Sequence, residues 1–90
     1  MNSINSIDEL KRIKYDAAFE DEMAALQHRR ESDPTCMVED IEAVLQNFYI
    51  REGDNINGRG QIRDIIMSAV IAAHELFIIQ WKAELNDKTG

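Results

Sequence analysis

The stretch "IIMSAVIAAHELFIIQW", Ile65 to Trp81, decides how this chain is read. No proline or glycine interrupts it, and no alternation of apolar and polar residues marks it as a strand. Wound as a helix at about 100° per residue, the flanking sequence included, it gathers Asp64, Ser68, Glu75 and Lys82 on one narrow strip. Almost all the rest of its circumference is apolar. A helix packed on one side needs an apolar arc of only a little over ~100°. The segment is too short for a comfortable membrane span, and Ser68, His74 and Glu75 within it would be costly in lipid. It is therefore expected to be buried in protein, with no membrane as partner.

Its neighbours are read from the breakers. Pro34 is the only proline, and the glycines are Gly53, Gly58, Gly60 and Gly90. Between these joints the spacing predicts three helices, over about 7–30, 34–52 and 61–86. The expected fold is all-α, a three-helix bundle or helical hairpin in one domain, with a long hydrophobic C-terminal helix completed by dimerisation. The first helix should start at Ser6, where "SIDE" offers a capping box with Glu9. It carries two apolar stripes: Leu10, Ile13, Ala17 and Ala24, and Tyr15, Phe19, Met23 and Leu26. The second should open at "SDPT", with Asp33 as cap and Pro34 in the first turn. Met37, Val38, Ile41, Val44, Leu45, Phe48 and Tyr49 then follow helical periodicity on one side.

Two other helices cover part of the third helix's apolar surface. About five large side chains left in water would forfeit roughly 1.5–3 kcal/mol each. That sum rivals the whole stability of a small domain. A second copy of the chain, packed about a twofold axis, is the simplest cover. The alternatives are a compact monomer, in which the second stripe of helix one does the covering, and a different protein in place of the copy. The interface expected for a homodimer comprises Met67, Ile71, His74, Ile78 and Trp81.

Composition narrows the function. The 90 residues carry a net charge of −7, and between Glu31 and Asn57 seven acids face only Arg51. Phosphate binding needs basic surface, so nucleic acid is not an expected partner. The acidic outer face of helix two, Glu39, Asp40 and Glu42, is the expected surface for a basic protein partner, steered there by charge. The one cysteine, Cys36, permits no internal disulfide and suits a reducing cytoplasm. "MNSINSIDEL" has no basic region followed by an apolar run, so no secretory leader is expected.

The motifs for chemistry are incomplete. His74 is the one histidine set among apolar residues at helical spacing. No nucleophile or carboxylate pattern accompanies it, and "AHEL" lacks the second histidine of a zinc helix. Glu39 and Glu42 form an "ExxE" pair of the kind that holds Mg²⁺ or Mn²⁺ in all-α pyrophosphohydrolases, but helix three has no matching acidic pair. The link "REGDNINGRGQ" does not fit a calcium loop in either register. Arg59 and Arg63 flank the loop-to-helix junction, where Gly58 and Gly60 leave backbone N–H groups open, and offer at most a weak anion site. The expectation is a small acidic interaction module without catalytic residues, metal or cofactor. The alternative is a metal-dependent phosphohydrolase using helix-borne carboxylates.

Overall fold

The computed structural model describes residues 3–54 and 61–89, with side chains described over 7–51 and 62–87. Among the described residues all regular structure is helical: α1 spans Ser3–Ser32, α2 Val38–Asp54 and α3 Gln61–Thr89, packed as a bundle. The link 55–60, with Arg59 and its anion reading, lies outside the described residues, as does the side chain of Ser6.

Two expected boundaries are corrected. Ser6 is not the first cap, because α1 already begins at Ser3. Nothing between Ser3 and Ser6 is a proline or glycine, so the helix can propagate back through them. The second helix does not open at Pro34. Asp33 to Cys36 form a turn closed by the Cys36 N–H on the Asp33 carbonyl at 3.0 Å, with Pro34 at the position its fixed φ suits. The Asp33 carboxylate accepts from the Thr35 N–H at 3.0 Å and the Thr35 hydroxyl at 2.6 Å. Those bonds, the hydroxyl's first, hold its carboxyl below the ordinary carboxylate range. α2 then starts after Met37, whose N–H donates to the Asp40 carboxylate at 2.9 Å. Asp40 thus closes the helix start from the third helical position, as the acid of a capping box does.

The direction of each helix follows from its cross-contacts. Glu22 of α1 lies by His74 of α3, and Arg30 by Glu84, so these two helices run parallel. Glu42 of α2 meets Lys82, and Tyr49 meets Glu75, so α2 runs antiparallel to α3. α3 packs against both of the others. At about 1.5 Å per residue, the 17 residues of α2 span little more than half the length of α3's 29. α2 therefore covers only the C-terminal part of α3.

The core sits where all three helices meet. Leu26 of α1, Cys36 and Val38 beside the turn, Ile41 and Leu45 of α2, and Phe77, Ile78 and Trp81 of α3 form one buried cluster. The second stripe of α1 turns to this core: Leu26 is buried, and Tyr15, Phe19 and Met23 are half-buried. The first stripe, Leu10, Ile13, Ala17 and Ala24, is exposed. Ala69 and Ala73, one turn apart, are fully buried. They lie on the side of α3 away from Glu75 and Lys82, which reach α2, so α1 covers them. Their small side chains let α1 approach closely. At the far end the Arg30 guanidinium lies 4.3 Å over the Trp81 ring and pairs with Glu84 at 2.8 Å. Glu84 is half exposed, so the ion pair adds under about 1 kcal/mol, and the cation–π contact of the guanidinium with the ring face matters as much.

Candidate functional site

The residues expected at a dimer interface lie largely inside the chain's own core. His74 is 2% exposed, Ile78 and Trp81 are buried, and Met67 and Ile71 are half-buried. α1 and α2 between them cover that arc. The apolar surface that remains open on α3 is centred elsewhere, on Leu76 at 36% and Ile79 at 63% exposure.

His74 stands at the junction of the three helices. Its Nδ1–H donates to the Val70 carbonyl at 2.8 Å, one turn back on α3. A carbonyl only accepts, so Nδ1 carries a proton. Nε2 then faces the Glu22 carboxylate of α1 at 3.8 Å, too long for a hydrogen bond. The ring also meets Phe48 of α2 edge-on, with centroids 5.1 Å apart. One side chain thus touches all three helices. Among the described residues no serine or cysteine side chain is bonded to it, and the ring ties the three helices together.

The acidic residues of α2 are not brought to one point. Asp40 is engaged in capping, Glu42 reaches across to the Lys82 ammonium at 2.6 Å, and Glu39 points to solvent. Among the described residues no group of three or more His, Cys, Asp or Glu side chains is arranged to hold a metal ion. None of the described helices is long and apolar enough to cross a membrane.

What the fold does assemble is a groove between α2 and α3. It encloses about 360 Å³ and is lined by Glu42, Leu45, Gln46, Glu75, Ile78 and Ile79. Leu45 and Ile78 belong to the core and form its floor, while Ile79 is one wall. Ile50, four residues beyond Gln46 on the same face of α2, is 60% exposed. Sequence reading missed this site because its walls come from two helices whose relative rotation no periodicity specifies. The signal that could have found Ile79 is its place on the polar side of the third helix, between Glu75 and Lys82.

One rim contact has a pH signature. The Tyr49 hydroxyl donates to the Glu75 carboxylate. That bond, with desolvation and the carboxylate's charge adding to it, raises the phenol above its ordinary value of 10.0. A raised folded-state value means the contribution to stability is complete below the unfolded value and is lost as pH rises through the folded one. The wild-type chain should therefore lose more thermal stability than Tyr49→Phe as pH rises above about 10. The difference is small because the pair is exposed. Identical losses in parallel melts would show that the bond contributes nothing.

Compared with known proteins, the chain matches no family model, no curated protein and no solved structure.

Proposed function

We propose that this chain is a small acidic interaction module that acts as a homodimer and binds a basic protein partner. The observation that supports this reading is the groove between α2 and α3, with its apolar floor, acidic rim and exposed Ile79, together with the exposed Ile50 further along α2. Each such side chain left in water forgoes roughly 1.5–3 kcal/mol relative to a covered one. A contiguous patch of this kind marks a surface meant to be covered. Reacting groups, by contrast, do not converge: the carboxylates of α2 serve a helix cap, an ion pair and solvent.

The second part of the proposal rests on charge. The acids of the middle third outnumber its single arginine; Glu39 is exposed on α2, and Glu42 stands half-buried at the mouth of the groove. A basic partner is drawn to such a field, with an association rate that falls as salt rises. The test is affinity purification with the wild-type chain and with Glu39→Lys/Glu42→Lys, identified by mass spectrometry at two salt concentrations. Asp40 is left in place so that the start of α2 keeps its cap. The expected result is selective loss of basic proteins from the variant and from the high-salt wash. Equal recovery from both chains, with circular dichroism showing equal helicity, would remove the acidic face from the proposal.

A further inference from the structure

We propose that two copies of the chain pair antiparallel along the outward seam of α3, with Leu76 of each copy against Ile79 of the other. The inference rests on the homodimer reading above and names the surface and register that reading leaves open.

The seam is visible in the spacing. Ala72, Leu76, Ile79 and Ala83 follow one another at intervals of four, three and four residues. That alternation is the heptad pattern of two helices packed side by side. Leu76, Ile79 and Ala83 are exposed and Ala72 is half-buried, so the stripe lies outside the area covered by α1 and α2. Small residues at its two ends and large ones in the middle are symmetric about the point between Leu76 and Ile79. A twofold axis through that point therefore sets large against large and small against small.

Charge selects the direction and the register. Glu75 and Lys82 flank the seam on the same side, seven residues apart. In the antiparallel pair centred as described, Glu75 of each copy comes beside Lys82 of the other, twice by symmetry. Sliding one copy by a heptad in one direction brings Glu75 against its own symmetry mate, and in the other direction Lys82 against Lys82. Both slips are penalised, so the pattern excludes the alternatives as well as favouring one arrangement. Within each chain Glu75 and Lys82 already hold Tyr49 and Glu42 of α2. The new contacts join these pairs into a charge network along the mouth of the groove. Antiparallel packing also opposes the two helix dipoles favourably. Because Glu75 and Lys82 both reach α2, the two copies of α2 lie on one side of the α3 pair, and the groove walls, Ile79 among them, face the partner.

The experiment combines oligomeric state with one distance. Sedimentation of the wild-type chain should give a dimer, and Ile79→Glu, at an exposed position, should give a monomer of unchanged helicity. Glu75→Lys should weaken the dimer at least tenfold, and Glu75→Lys/Lys82→Glu should restore it. Spin labels on Asp87→Cys in a Cys36→Ala background report direction. At about 1.5 Å of rise per residue, the antiparallel register places them about 30 Å apart, whereas a parallel pair brings them to roughly 10 Å. A dimer with the short distance, or one indifferent to Ile79→Glu, overturns this arrangement while leaving the homodimer reading intact. A monomeric wild-type chain at hundreds of micromolar overturns both.

Discussion

Phe77→Ala should cost the chain about 3–5 kcal/mol. Phe77 is 3% exposed, and its ring meets Trp81 edge-on with centroids 5.7 Å apart. Truncation removes a large buried apolar side chain, leaves a cavity beside Trp81 and deletes the ring pair. α3 is held on both sides at this level, by Leu26 of α1 and by Ile41 and Leu45 of α2, so the cavity cannot easily collapse. A domain this size has a total stability of about 5–10 kcal/mol. The variant is then expected to melt at least about 12 °C below wild type and to populate unfolded chain at physiological temperature. Urea denaturation followed by circular dichroism measures the loss directly. A loss below about 1 kcal/mol would mean that Phe77 is not central to the packing.

Ile41→Ala should cost about 2–5 kcal/mol by the same mechanism, with a different distribution. Ile41 is fully buried and is the middle member of Val38, Ile41 and Leu45, the buried residues by which α2 grips α3. The other anchors of α2 are Phe48, edge-on to His74, and two surface contacts, Glu42 with Lys82 and Tyr49 with Glu75. α1 and α3, joined along the Ala69–Ala73 side, do not depend on Ile41. Amide exchange in the variant should therefore accelerate first across α2, while the facing parts of α1 and α3 stay protected. Equal acceleration in all three helices would show instead that the bundle opens as one unit. The outcome matters for binding, since loosening α2 dissolves one wall of the groove and the ion pair at its mouth.

Much of this architecture could be read from local signals. Three helices form between the proline and glycine joints, though α1 and α2 start elsewhere than expected, because backbone bonding four residues apart is decided within the segment itself. The two stripes of α1 were visible, and so was the excess of apolar residues around α3. Their assignment was not visible. Tyr15, Phe19, Met23 and Leu26 turn to α3, whereas Leu10, Ile13, Ala17 and Ala24 face water, and the two stripes look alike in one dimension. The start of α2 was misplaced because Asp33 and Asp40 are both plausible caps. Thr35 takes the first into a turn and leaves the second to close the helix.

The same division holds for the candidate site. His74, Ile78 and Trp81 read as the boldest apolar face of α3, and such a face is the one a neighbour buries first; here the neighbours are in the same chain. Ile79, set between Glu75 and Lys82, was not singled out in the sequence, and among the described residues it is the most exposed large apolar side chain on α3. Sequence alone determined that this chain makes three helices, that it is acidic through its middle, and that its last helix is rich in apolar residues between Ile65 and Trp81. Those properties depend on spacing and composition along the chain. Only the tertiary structure decided which part of that circumference is covered and which lines an open groove. That choice depends on the length of α2, its antiparallel course and its rotation against α3, all of which arise from contacts between residues far apart in sequence.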